Sequence, residues 1–135
     1  MLINRSIPRC TVIPEIAYPD IGKAAEWLCD TFGFTVRVRI ADHRIQMNVG
    51  DGAVVLTRLE GPARPSSVMV RVKNVGQHYD RVVKCGVPVE APPKEHFYGE
   101  KQYGVVDFAG HHWKFSETVA DVAPEAWGGE AVELK

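Results

Sequence analysis

The chain of 135 residues has little of what marks secreted, disulfide-rich or membrane proteins. It contains 3 cysteines, an odd number, and none of them shows Cys-x-x-Cys spacing, so neither a disulfide framework nor a zinc ribbon is indicated. No apolar run is long enough to cross a bilayer, and the start MLINRSIPRC lacks the apolar core of a secretory signal. We therefore expect a cytoplasmic protein with no membrane partner.

The chain also lacks an excess of charge of one sign. Lys and Arg total 16 against 17 Asp and Glu, and no basic block is interleaved with aromatic residues. A nucleic-acid-binding surface needs positive side chains to neutralise phosphates, so we expect no nucleic-acid partner. Phosphate loops, Gly-x-Ser-x-Gly elbows and dinucleotide-binding glycine patterns are missing too, which leaves nucleophilic and nucleotide chemistry without support.

What the chain has is the length of one domain and 45% apolar residues, enough for a core. The first half predicts a strand at TVIPEIAY (11–18), a helix that Asp20 caps and Gly33 ends, and three further strands. The predicted strands are FTVRVRI (34–40), RIQMNV (44–49) and AVVLTRL (53–59).

The second half repeats this order after the Pro- and Gly-rich stretch GPARPSS. It predicts a strand at VMVRV (68–72), a helix with an apolar face that Gly86 ends, and three strands. Those strands are VPVEA (87–91), KQYGVVD (101–107) and HHWKFSE (111–117), and the helix face consists of Val75, Tyr79, Val82 and Val83. Residues 18–22 align with 72–76, which indicates an internal duplication.

The duplication predicts an α+β fold of two tandem βαβββ modules in one domain, 1–135. Neither module can cover both faces of its own sheet, so we expect helices on one face and a cavity against the other. The expected bounds are about 10–60 for module one, 61–67 for a linker, about 68–117 for module two, and 118–135 for a C-terminal tail.

Three stretches resemble one known family. They are AAEWLCDTFGF (24–34), the GDG turn (50–52) and YGEKQYGVVDFAGHHWKFS (98–116). In these stretches the chain is similar to the vicinal oxygen chelate superfamily, which includes glyoxalases, bleomycin-resistance proteins and extradiol dioxygenases. The resemblance implies a curved mixed sheet around a cavity, a lid formed by the loop 91–100, and homodimers.

The resemblance also implies a divalent metal held by up to four His, Gln or Glu side chains. The corresponding positions hold Ile13, Leu56, Ser67 and Lys114, none of which is a ligand of that kind. A shift of two residues along the strands brings Glu15 and His112 to the cavity, but two protein ligands are too few for tight binding. We expect no metal cofactor, with a degenerate Glu15–His112 site as the alternative.

The adjacent histidines follow a predicted turn at 107–110 and begin the last strand. Because successive strand side chains point to opposite faces, His111 and His112 cannot chelate one ion together. We predict that His111 faces the helices, hydrogen-bonded to Asp107 or to a backbone carbonyl. His112 should share the cavity face with Lys114.

The same alternation predicts the other cavity residues. On the second strand, Arg37 and Arg39 should lie on one face and the valines on the helix face. Glu15, Arg71 and Lys114 either compensate one another, or Arg71 and Lys114 leave a positive excess that favours an anionic ligand. The predicted ligand-binding residues are Glu15, Arg39, Gln46, Ser67, Arg71, His96, Tyr98, His112 and Lys114.

Three functions remain open, and we expect the first. The first is a small-molecule-binding protein that sequesters its ligand without a catalytic metal, similar to the bleomycin-resistance branch. The second is a lyase, isomerase or dioxygenase, either with a Glu15–His112 metal site or with Lys114, His112 and Glu15 as a metal-free acid and base. The third is an assembly subunit with a vestigial cavity. Trp127 either folds over its own sheet or crosses to a second subunit, and we favour the dimer.

Overall fold

The computed structural model describes residues 2–133 of the chain. Two βαβββ modules follow one another, with the outermost residues of the predicted domain and tail outside the described range. Module one contains β1 (Glu15–Tyr18), α1 (Ile21–Phe32), β2 (Thr35–Ile40), β3 (Arg44–Val49) and β4 (Gly52–Arg58). Module two contains β5 (Ser67–Arg71), α2 (Val75–Lys84), β6 (Lys94–Glu95), β7 (Glu100–Val106) and β8 (His112–Thr118), followed by a 3₁₀ helix (Pro124–Trp127).

Each module forms its own four-stranded mixed sheet. The strand orders are β1-β4-β3-β2 and β5-β8-β7-β6, and the pairs β1·β4 and β5·β8 are parallel. The predicted α+β fold of two tandem modules is thus confirmed. By its internal contacts the chain divides into two units: the first runs to Ser66 and includes Phe108–His111, and the second holds Ser67–Asp107 and continues from His112.

Both helices begin at side-chain caps, of which Asp20 is the predicted one. Asp20 Oδ1 accepts a hydrogen bond from the backbone N–H of Lys23 at 3.0 Å, and Asn74 Oδ1 accepts from Gln77 at 3.0 Å. α1 ends at Gly33, whose φ of 80° lies in the left-handed region that favours glycine. Between residues 2 and 133, no helix has the length and apolar character needed to cross a membrane.

The core of each module lies between its helix and one face of its sheet. In module one Ile16 and Tyr18 on β1 are buried, together with Leu28 on α1. In module two Trp113 and Phe115 on β8 are buried beside the helix residues Val75 and Val82. Every second residue of β1 and β8 therefore points into the core, which leaves the residues between them on the opposite face.

The predicted strand VPVEA at 87–91 is wrong. Residues 87–93 form no strand, and the short strand β6 lies at Lys94–Glu95 instead. Pro88, Pro92 and Pro93 lack the N–H that a sheet ladder needs, so pairing begins only after them. Similarly, β1 starts at Glu15 rather than residue 11, after Pro14.

The prediction that Arg37 and Arg39 share a face is also wrong. The pairing of β2 with β3 shifts between Val36 and Val38, where one extra residue forms a β-bulge. Val36 pairs with Met47 before the bulge, and Arg39 pairs with Ile45 after it, so Arg39 lies on the face of the buried residues Met47 and Ile45.

Candidate functional site

The face of the second sheet away from α2 is the best candidate for a binding site. We call it the open face of module two. Register places Ser67 opposite His112 and Met69 opposite Lys114 on this face. All four are exposed, whereas the alternate residues Trp113 and Phe115 are buried. Its members are Ser67, Met69, Arg71, Glu100, Gln102, Gly104, Val106, His112, Lys114 and Ser116.

A hollow of about 470 Å³ lies on this face, lined by Ser67, Val68, Met69, His112 and Lys114. Three of these residues, Ser67, His112 and Lys114, are among the predicted ligand-binding residues. Within residues 2–133, Lys114 makes no hydrogen bond or ion pair, so its ammonium group points to solvent uncompensated by any direct partner. Met69 is 62% exposed and Val106 is 48% exposed, which adds apolar surface beside the charge.

A chain of hydrogen bonds crosses the same face. The Tyr98 hydroxyl donates to Gln102 Oε1 at 3.0 Å, Gln102 Nε2 donates to Ser116 Oγ at 3.0 Å, and Ser116 Oγ donates to Glu100 Oε1 at 2.7 Å. The hydrogen bonds from Ser116 and Thr118 lower the pKa of the Glu100 carboxyl, and the nearby charge of Arg71 lowers it further. The network keeps Glu100 ionised and holds Gln102 in a fixed orientation.

The sequence interpretation missed Glu100 and Gln102. The sequence places Glu100 in the predicted loop 91–100, and the predicted strand at 101–107 has no assigned face. The signal was present, however. Period-two alternation along EKQYG places Glu100, Gln102 and Gly104 on one face, and Tyr103 on the face of the core.

The predicted lid residues His96 and Tyr98 lie against each other. Their rings are stacked with centroids 5.0 Å apart and an interplanar angle of 5°. Trp127 contacts Tyr98 at a centroid distance of 5.7 Å, so the tail folds over its own module, which is the first of the two alternatives for Trp127. Gly99 anchors both segments, because its carbonyl accepts hydrogen bonds from the N–H groups of Val119 and Ala120.

The corresponding face of module one is occupied by its own chain. The Gln46 side-chain amide donates to the backbone carbonyl of Ser6 at 2.7 Å and accepts from the Arg37 guanidinium, which also donates to the carbonyl of Arg5 at 2.9 Å. Glu15 forms an ion pair with Arg44 at 3.0 Å. The predicted residues Glu15 and Gln46 therefore already have partners within the first unit.

His111 is a structural residue, as its strand position predicts. It is 2% exposed; its Nδ1 accepts from the backbone N–H of Ser66 at 2.9 Å, and its Nε2 donates to the carbonyl of Ala17 at 2.7 Å. Asp107, the other expected partner, accepts a hydrogen bond from the Trp113 indole at 3.0 Å. Both ring nitrogens of His111 are thus in use.

The described residues fit a metal ion poorly. Among residues 2–133 there is no group of three or more His, Cys, Asp or Glu side chains that could hold one. His112 shares the open face of module two with an ammonium group, which would repel a cation. Leu56 is fully buried and pairs with the buried residues Ile16 and Ile45, so it lies in the core of module one and not on the cavity face that the resemblance implies.

Comparisons with known proteins identify relatives of the chain. A family model described as Glyoxalase/Bleomycin resistance protein/Dioxygenase superfamily matches residues 6–115. A search of curated proteins found no match. TioX from Micromonospora sp. ML1 is 29% identical, with a TM-score of 0.71 over 78% of this chain and 96% of TioX.

Two solved structures with lower identity share the fold. A bleomycin resistance determinant encoded on the transposon Tn5 is 16% identical, with a TM-score of 0.70 over 82% of this chain and 99% of its own. Lactoylglutathione lyase from Agrobacterium tumefaciens is also 16% identical, with a TM-score of 0.67 over 92% of this chain and 100% of its own. These likenesses extend over nearly the whole length of each relative.

Proposed function

Because the chain belongs to the glyoxalase/bleomycin resistance protein/dioxygenase superfamily, we propose that it binds a small anionic molecule and sequesters it without a catalytic metal. The site is the open face of module two. The observation that carries the proposal is the uncompensated ammonium group of Lys114 at the wall of the 470 Å³ hollow. An anion there gains a charge-assisted hydrogen bond without breaking an existing ion pair.

The rest of the hollow favours an organic anion over an inorganic one. Met69 and Val106 expose apolar surface on the same face, and burial of that surface by a hydrocarbon group stabilises a complex by roughly 25 cal/mol per Å². His112 lies two residues before Lys114 on β8 and on the same face, where its imidazole can donate or accept a further hydrogen bond. A carboxylate attached to an apolar body satisfies all three features.

Binding of matched ligands of opposite charge tests this proposal. We expect octanoate to bind the purified protein and octylammonium, which has the same number of carbon atoms, to bind at least about tenfold more weakly by calorimetry. Lys114→Ala should weaken octanoate binding by at least about tenfold. Lys84→Ala, which removes a lysine at the end of α2, is the matched control and should leave binding unchanged. Equal binding of both ligands would overturn the proposal.

Native mass spectrometry with elemental analysis separates this proposal from the enzyme alternative. We expect a retained organic ligand, no stoichiometric divalent metal, and the mass of a homodimer, which is the assembly that the family resemblance implies. A lyase, isomerase or dioxygenase would instead retain a metal ion or turn over a glyoxalase or catechol substrate. Turnover lost in His112→Ala would replace sequestration with catalysis as the function.

A further inference from the structure

The edge of β7 is only partly covered. β6 pairs with β7 at two positions, Lys94 with Gln102 and Glu95 with Lys101. β7 continues to Val106, so its last residues have no strand partner on that side within the described part of the chain. Natural proteins usually cover such edges, because unpaired N–H and C=O groups attract another chain.

The backbone groups that face this edge can be identified. The N–H of His96 donates to the carbonyl of Glu100 at 2.8 Å, so the backbone of Glu100 points toward β6. In a strand, alternate residues direct their N–H and C=O groups to the same side. Gly104 and Val106 therefore present two donors and two acceptors to the uncovered edge.

A groove of about 440 Å³ runs along this edge. The groove is lined by consecutive residues of β7 from Gln102 to Val106, so it meets residues of both faces of the strand and follows its edge. Its opposite wall is the segment from Pro88 to Pro92, and Pro92 has no N–H with which to pair. The groove therefore has the position of a missing strand, and the chain's own prolines leave it unpaired.

We propose that this groove, the β7 edge groove, binds a short extended peptide-like chain as an added strand beside Gly104–Val106. The ligand class is then a peptide-like acid. This inference rests on the proposed function, because His112 lines both the groove and the hollow of Lys114, so that one ligand reaches both. About three residues of extended chain, roughly 10 Å, match the uncovered length, and main-chain hydrogen bonds provide the affinity.

Acetyl-trialanine with a free carboxylate is a suitable probe for nuclear magnetic resonance of the ¹⁵N-labelled full chain. We expect the amide signals of Gly104 and Val106 to shift, and their hydrogen exchange to slow by at least about tenfold at saturation. A probe of the same sequence with N-methylated internal amides cannot donate those hydrogen bonds. It should bind about tenfold more weakly.

Two variants at one position provide matched controls. Gly104→Pro removes the edge N–H and should reduce affinity for the probe about tenfold. Gly104→Ala keeps the N–H, and the added Cβ would lie 3.8 Å from the carbonyl oxygen of Trp113, an ordinary contact, so affinity should be retained. If the proline variant does not fold, the N-methylated probe still tests whether main-chain hydrogen bonds hold the ligand at this edge.

The outcomes distinguish this inference from the proposed function. If the probe shifts the amide signals of Lys114 and His112 but not those of Gly104 and Val106, the proposed binding in the β7 edge groove is wrong and the anionic site remains supported. Edge shifts in a protein that fails to bind octanoate would support the groove and overturn the anionic site. If the amide signals and hydrogen exchange of Gly104 and Val106 do not change at millimolar probe, the proposed binding in the groove is wrong. Edge protection that grows with protein concentration and without probe would assign the groove to a second copy of the chain, which also overturns the inference.

Discussion

His111 and His112 are adjacent, yet their surroundings have nothing in common. His111 is 2% exposed with both ring nitrogens hydrogen-bonded, whereas His112 is exposed on the open face of module two. A one-residue step along β8 decides which histidine stabilises the fold and which is available to a ligand. The two residues therefore make a matched pair for separating stability from binding.

We expect His111→Ala to lower the free energy of unfolding by about 2–4 kcal/mol, because it leaves a cavity and two backbone groups without their partners. His112→Ala should change stability by less than about 0.5 kcal/mol, as is usual for exposed positions. Urea unfolding measures both. The assignment of roles would be wrong if His112→Ala were the more destabilising variant.

Glu100 gives the stability of module two a dependence on pH. Because hydrogen bonds from Ser116 and Thr118 lower its pKa in the folded protein, the carboxylate stabilises the fold above the ordinary carboxyl pKa of about 4.5. That contribution is lost as the pH falls through the lowered folded pKa. Melting temperatures between pH 7 and pH 3 should fall less steeply for Glu100→Gln than for the native chain. Glu60→Gln makes the same charge change at an exposed position and should keep the native slope.

Single-residue predictions succeed where alternation is unbroken. The alternation on β8 correctly predicts the burial of His111 and Trp113. It fails for Leu56, which corresponds to a metal-ligand position of the family, because that correspondence is one residue off and one residue reverses the face. It could not predict the Gln46–Ser6 contact either, since these residues lie far apart in sequence and no local pattern pairs them.

At the level of elements, the structure differs from the sequence prediction where the backbone departs from ideal geometry. The bulge in β2 reverses the alternation between Arg37 and Arg39, and a sequence of alternating Val and Arg contains no sign of it. The missing strand at 87–91, by contrast, could have been predicted, because its flanking prolines oppose sheet pairing. The capped helices were predictable because a cap is a local hydrogen bond.

Gly99 fixes the C-terminal tail to the start of β7, and its substitution tests that link. Its φ is +90°, and an added Cβ would lie 2.2 Å from the carbonyl oxygen of Ala120. We expect Gly99→Ala to destabilise the protein by about 2–4 kcal/mol and to expose Trp127, measured by urea unfolding and tryptophan fluorescence.

Gly110→Ala is the control for the Gly99 substitution. Gly110 has nearly the same φ of +89°, but no atom lies within 4 Å of the added Cβ. Only backbone strain remains, so the cost should be about 1 kcal/mol. Equal losses for the two variants would mean that strain alone, and not the contact with Ala120, explains the requirement for glycine at position 99.

At the scale of the whole molecule, two modules of the same strand order have different open faces. In module two the face carries an unpaired ammonium group and a hollow. In module one the carbonyls of Arg5 and Ser6 accept hydrogen bonds from the side chains of Arg37 and Gln46. Arg44 forms an ion pair with Glu15. A duplication by itself would give two equivalent sites, whereas in the described part of the chain the N-terminal segment already contacts the face of module one.

We therefore expect one ligand per chain. Calorimetric titration of the full chain with octanoate should give a stoichiometry near one, and native mass spectrometry should show the same ratio whether the protein is a monomer or a dimer. Deletion of residues 2–7 releases Gln46 and Arg37, whose guanidinium group then offers a second cation to the ligand. That variant should bind additional octanoate more weakly than the Lys114 site does. Two equal sites in the full chain would contradict the assignment, because segment 5–6 would then not block the face of module one.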